Sequence, residues 1–452
     1  MAVVRAFRGL RYNPERIPDM GAVLAPPYDV IDEPGRLALL ARHPRNVALL
    51  TLGRHPLTGE IPAQRYPEAA ADIQSWLAEG VLVAEDEPAL YVYEQTFRMP
   101  GENWAPRRQR RGLMAALKLE PYEAGVIHPH EHTMRGPKAD RLKLMEACQA
   151  GLGPVMAMYS DPQRRVDGLL ADLEPGAALW EVETEGEVTH RFWKLTSPER
   201  VAAIAEAVEG ADLVIADGHH RYETSLAYRD ERRRMHGVRS DAPWEYVPAF
   251  LGNVAAGGMT VLPCHRLLGQ VPGGDVQSAL ERLTAVCDRS PISLAGTDGA
   301  VRLAVHDVVR RLGAASPDRP AFGVYWGRRR GALLTLKQNV DEQPALTSLS
   351  PSYRRLAVVV LHRVLIEEAL GCTGELAEAG QNVLFTQDGV ELVRRVDAGE
   401  AALGLLVPPT PVEQVVRLAA AGERLPHKAT FFYPKLLSGT VLLDLRPEAT
   451  IA

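Results

Sequence analysis

Asp217-Gly218-His219-His220-Arg221-Tyr222 places two imidazoles and a guanidinium in one short turn. The apolar, β-branched run 213–216 before it reads as a buried strand, and 222–234 after it is rich in helix formers with no Gly or Pro. A strand, a glycine turn and a helix therefore follow one another. The amide groups and positive dipole end of such a helix favour an anion, and Arg221 with the two histidines adds charge and donors. Phosphate or carboxylate binding is the chemistry this turn suits. The competing reading is local: Asp217 caps the helix or holds a His or Arg in one orientation.

A second polar cluster runs from His128-Pro129-His130-Glu131-His132 to Lys138 and Arg141. If 128–132 is extended, the three histidines share a face able to bind a metal; if it is a loop, His130 and Glu131 form an acid/base pair. Lys138 and Arg141, three apart, share a face of the following helix. Asp29, in the rigid Pro26-Pro27-Tyr28-Asp29 turn, is a candidate base or Mg²⁺ ligand as well as a simple turn former. Further candidates are Tyr28, His265 and Arg266 after Cys264, and Lys428 and Lys435 around an aromatic stretch. Arg328-Arg329-Arg330 reads as a solvated turn.

The elements that must position these residues are interspersed strands and helices without a strict βαβ rhythm, which predicts an α+β fold. Strands are expected at 90–97, 113–119 (after a basic turn at 107–111), 154–159, 179–184, 188–195, 248–253 and 260–262. Helices are expected at 66–79, 137–150 and from the Ser197 cap to 210. A Gly-rich turn near 271 opens a block with helices at 276–287, 352–370, 389–398 and 412–421, and strands at 322–326, 333–337, 382–386, 403–407 and 440–445. This divides the chain into 1–270, 271–425 and a terminal strand segment, 426–452, returning to the first domain.

At 452 residues the chain is long enough for several cores, and 46% hydrophobic with 24% charged residues is an ordinary globular balance. A net charge of −6 argues against a dedicated nucleic-acid binder. Four scattered cysteines without a CxxC pair fit a reducing cytoplasm and give zinc no support. No apolar run approaches a membrane span, and the first residues lack a signal-peptide core.

"PPYDVI", "HEHT…GPKADRL", "ADGHHRYETSLAYRDE", "LPCHRLL" and "KATFFYPKLLSG" together resemble, in order, the blocks of the domain of unknown function 1015 family. That family pattern does not demand His at 128 or 132. The Gly-His-His-Arg turn is also similar to the phosphate box of the ParB/sulfiredoxin superfamily, which includes free-serine kinases. This second resemblance implies a phosphate-binding core elaborated with mixed sheets, plus a C-terminal α/β block. Gly218 would allow close backbone approach, and His219, His220 and Arg221 would bind phosphates.

The expected function is a nucleotide-dependent phosphotransferase using ATP or ADP with Mg²⁺ on a small hydroxyl substrate such as free serine. Asp217, Gly218, His219, His220, Arg221, Lys138 and Arg141 are assigned to phosphate; Glu131, Asp29 or His130 supply acid/base chemistry. The alternatives are a non-catalytic nucleotide- or metabolite-binding regulator and a metal-dependent hydrolase built on His128, His130 and His132.

Overall fold

A computed structural model describes residues 1–102, 104–133, 135–294, 296–372, 382–426 and 428–451. The chain folds as mixed α+β in two compact units. Met1–Pro129, Thr133–Met259 and Pro434–Ala452 form the first; His130–His132 and Thr260–Tyr433 form the second. The sequence boundary at 270 thus lies inside the second unit, and the stretch that belongs to the first unit starts at Pro434 rather than 426.

The first unit is built on a nine-stranded mixed sheet. From one edge its order is Ile127–Pro129, Leu213–Asp217, Val155–Tyr159, Tyr246–Asn253, Arg108–Lys118, Leu90–Phe97, Val188–Leu195 and Trp180–Thr184, with Val4–Arg5 also paired to Arg108–Lys118. Alternation gives each strand two faces. Leu90 and Val92 point into one core with Leu213, Ile215, Val247 and Ile204. Tyr91 stacks on Phe192 at 5.3 Å, and Phe192 on Trp180 at 5.1 Å. Both faces are covered, which is why most of these strands read as continuous apolar runs.

The basic stretch 107–111 is mostly not a turn: the strand begins at Arg108. Charged residues are held extended there by partners on the neighbouring strand. Arg110 Nε donates to Gln95 Oε1 at 3.1 Å, and Arg111 Nε to Glu94 Oε2 at 2.7 Å.

Strand Leu213–Asp217 runs parallel to Ile127–Pro129 and antiparallel to Val155–Tyr159. Gly218, with φ of +89°, turns the chain into the helix His219–His236, longer at both ends than its sequence pattern. The N-cap position is Gly218, so Asp217 does not cap the helix. The helix Arg135–Cys148 packs against His219–His236.

The second unit has a six-stranded, wholly antiparallel sheet ordered Cys287–Ser293, Arg330–Leu336, Ala321–Tyr325, Leu403–Leu406, His265–Leu268 and Val383–Thr386. Helices Asp298–Gly313 and Gly389–Asp397 supply Val301, Val305, Val308, Leu392 and Val396 to its core. The helix expected over 352–370 begins only at Ala357, and Leu361–Ala369 is a wide π-helix. Arg354 and Arg355 are tied to Asp341, and Arg355 also to Asp318, which holds the preceding residues out of the helix.

A candidate anion pocket in the first unit

Asp217 ends its strand with a carboxylate shared by two cations. Its Oδ2 accepts from Arg221 at 2.7 Å, and its Oδ1 pairs with Lys435 Nζ at 2.5 Å. Burial opposes the charged carboxylate, but Lys435 and then Arg221 prevail and hold its pKa down at about 2. Arg221 also donates to the Pro154 carbonyl. A Cβ on Gly218 would lie 3.0 Å from the Arg221 guanidinium, so glycine is what lets that side chain fold back over the turn.

Arg221 lines a pocket together with Tyr28, Thr51, Arg141, Thr224 and Ser438, against an apolar wall that includes Leu144, Met145, Val247 and Pro248. Arg141 donates from Nε to Asp140 at 2.8 Å and from Nη1 to the Thr51 carbonyl at 2.8 Å. Its guanidinium lies 4.1 Å from the centre of the Tyr28 ring. Asp140 is shared in turn: Arg65 reaches it at 3.1 Å. Burial, then Arg141, lowers the pKa of Arg65, yet a guanidinium stays charged.

The same charge count thus occurs twice. Arg221 and Lys435 share Asp217, and Arg65 and Arg141 share Asp140, so at each carboxylate two cations meet one anion. Burial raises the pKa of the Tyr28 phenol; Arg141 and Arg221 act to lower it, and Asp29 and Asp140 to raise it. Two guanidinium groups on one partly desolvated wall suit an anion. No Asp, Glu or His is among the described lining residues. The arrangement can neutralise and orient an anion; it brings no base of its own to the wall.

The family model for proteins of unknown function, DUF1015, matches residues 4–359. The chain belongs to that family. Among solved structures it is similar to a conserved hypothetical protein from Pyrococcus furiosus, at 12% identity over 75% of this chain and 94% of that one, with a TM-score of 0.33. It is also similar to a free serine kinase in complex with AMP, at 12% identity over 75% and 92%, TM-score 0.36. A third is SbnI with a C-terminal truncation from Staphylococcus aureus, at 11% over 73% and 89%, TM-score 0.33. Likeness at this level carries no argument about function. No curated protein matches the chain. Among the described residues, no helix is long and apolar enough to cross a membrane.

The other residues singled out in this DUF1015 chain fall into place around, or away from, the pocket. His219 is buried beside Asp217 and helps lower its pKa, while His220 is half-buried. Lys138 does not line the cavity; its Nζ pairs with Glu223 at 2.8 Å, and Thr133 donates to the same carboxylate at 2.6 Å. Asp29 is exposed in the turn Tyr28–Val30, so it is Tyr28 of that motif that reaches the pocket.

His130 and Glu131 belong to the second unit and turn to different partners. His130 Nε2 lies 2.8 Å from Thr430 Oγ1, and Glu131 Oε1 accepts from the Lys428 amide at 2.8 Å. The strand carrying His128 stops at Pro129, so alternation does not align His128, His130 and His132. Among the described residues, no group of three His, Cys, Asp or Glu is placed to hold a metal.

His265 and Arg266 are buried in the second unit. Burial, then Arg266, pushes the His265 pKa down to about 3, and its Nδ1 accepts from the Val407 amide at 3.2 Å. Arg266 donates to the Cys264 carbonyl, to His362 Nε2 at 3.0 Å and to the Lys428 carbonyl at 3.1 Å. Both side chains are thus engaged within that unit. Burial also raises the Cys264 thiol, which disfavours a nucleophile. Lys428 is exposed with a left-handed φ of 55°.

Arg65, Asp140, Thr51, Thr224 and Ser438 are brought to or behind the pocket wall by packing alone. Asp140 lay within a quoted motif, "GPKADRL", without a role; Arg65 carried no local signal.

Proposed function

We propose that the first unit binds the phosphoryl groups of a nucleotide, and that the protein transfers phosphate from ATP or ADP to a small hydroxyl compound such as free serine. The observation that carries this reading is that Arg221 and Arg141, each held by a carboxylate it shares with a second cation, line the same cavity. Phosphoryl transfer depends chiefly on positioning and charge neutralisation, which Arg221, Arg141 and the start of the helix His219–His236 can supply. With no carboxylate on the described wall, Mg²⁺ would arrive on the nucleotide phosphates.

The same lack of a lining base favours a second reading, a nucleotide- or metabolite-responsive regulator that binds without turnover. Calorimetry with ATP, ADP and AMP tests the shared part. Arg221→Ala and Arg141→Ala are each expected to weaken binding at least about tenfold, as for a charge-assisted hydrogen bond. Unchanged affinity in both would remove the assignment. Formation of phosphoserine from ATP and serine then separates kinase from regulator.

A further inference from the structure

Gly151 and Gly153 both stand in the pocket wall, and packing accounts for only one of them. A Cβ on Gly151 would meet Pro248 Cδ at 2.8 Å and Cγ at 2.9 Å, so a side chain does not fit there. Gly153 is under no such pressure. Its φ is not positive, and beyond its chain neighbours a Cβ would find two atoms within 4 Å: Ser438 Oγ at 3.5 Å and Arg221 Nη1 at 3.6 Å. Both are ordinary contact distances. The glycine therefore leaves a small space bounded by a hydroxyl and a guanidinium, which an alanine could fill without strain.

Ser438 is 4% exposed, and its Oγ has no hydrogen bond among the described residues. Thr224 Oγ1 and Thr440 Oγ1 are also unpaired but fully enclosed; Ser438 Oγ is not one of these enclosed atoms. Its backbone is fixed, donating to the Ala25 carbonyl at 2.8 Å, shortly before the turn that carries Tyr28. Arg221 Nη1 carries two hydrogens and uses one at the Pro154 carbonyl. Nearly buried hydroxyls are seldom left without a partner.

We infer that Ser438 makes this pocket selective for a phosphoryl group: one oxygen of the ligand enters the space beside Gly153, in reach of Ser438 Oγ and Arg221 Nη1, and the others are left to Arg141. Guanidinium groups alone pair with carboxylates and phosphates alike. A hydroxyl as a third donor suits the several terminal oxygens of a tetrahedral phosphoryl group and has no counterpart on a planar carboxylate. This rests on the anion-binding reading of the same pocket and adds to it the chemical class of the anion.

Pyrophosphate and malonate are matched probes, each with two anionic ends, tetrahedral in one and planar in the other. Calorimetry on the full chain with both, and with AMP, reads the outcome. Ser438→Ala is expected to bind pyrophosphate and AMP about tenfold more weakly and malonate unchanged, as for a lost hydrogen bond to a charged group. Gly153→Ala puts a methyl group in the space and should weaken pyrophosphate and AMP by at least about tenfold, with a melting temperature at or above that of wild type. The inference is overturned if Ser438→Ala binds pyrophosphate as wild type does, if it weakens pyrophosphate and malonate together, or if folded Gly153→Ala keeps its pyrophosphate affinity. Failure of the anion reading looks different: wild type then binds none of the three, or Arg221→Ala and Arg141→Ala bind pyrophosphate as wild type does.

Discussion

Asp217 and Lys435 are 218 positions apart in the chain and form an ion pair of 2.5 Å. Arg221, four residues on from Asp217, takes the other carboxylate oxygen at 2.7 Å. One anion therefore orders a cation fixed by local helix geometry and another delivered by the terminal segment of the first unit.

Asp217→Asn keeps the shape of that centre and deletes its charge. Two partly buried cations would be left without their carboxylate, a loss of about 3 kcal/mol by analogy with broken buried pairs. Pyrophosphate affinity should nonetheless rise, because a negative charge beside Arg221 is removed. Denaturant unfolding and calorimetry check the two halves; unaltered stability would contradict the shared-carboxylate account.

The same carboxyl predicts an acid limb. Its folded pKa of about 2 lies below the usual ~3.9, so its stabilisation is complete above about pH 4 and is lost as pH falls from there towards 2. Asp217→Asn should lack that part of the stability–pH slope in paired denaturation series.

Gly218→Ala places a Cβ on a backbone with φ of +89° and 3.0 Å from the Arg221 guanidinium. Left-handed strain of about 1–2 kcal/mol is expected, with weaker AMP binding because Arg221 must move. Gly218→Asn, which tolerates that backbone better, should melt above Gly218→Ala. The reverse order in thermal melts would count against the turn geometry.

His190 is buried in the first unit between Tyr93, at 2.6 Å from Nδ1, and Thr184, at 2.9 Å from Nε2. Burial, then Arg110, pushes its pKa down to about 3. A neutral buried imidazole stabilises fully above the unfolded value near 6.5, and that stabilisation drains away as pH falls from about 6.5 towards 3. NMR should find the ring uncharged at pH 5; a midpoint near 6.5 would sink the prediction.

Arg266→Lys tests whether the second-unit motif is structural. A lysine cannot reproduce the fork that reaches Cys264, His362 and Lys428, so about 2 kcal/mol or more of stability should go. Chemical denaturation with an unshifted midpoint would return Arg266 to the list of ligand contacts.

Much of the fold was legible in periodicity. The strands Leu90–Phe97 and Val188–Leu195 match their sequence patterns, as does the Ser197 cap, which accepts from the Arg200 amide at 3.3 Å. The helix Asp298–Gly313 was equally readable from Val301, Val305, Val308 and Leu312 at helical spacing but was passed over. The strand through Arg108–Arg111 was not readable, since Gln95 and Glu94 hold it from another strand.

For the site, the sequence by itself determined the strand, the glycine turn and the helix that put Asp217, Gly218 and Arg221 within one turn of each other. Helix pitch and the steric freedom of glycine are properties of adjacent residues, so no distant partner was needed. Only the tertiary structure decided that Lys435 joins Arg221 at Asp217, that Arg65 and Arg141 meet at Asp140, and that His265 and Arg266 are buried. Those facts depend on strand order and packing between residues far apart in sequence, and desolvation, which sets their charges and pKa values, exists only once the chain is packed.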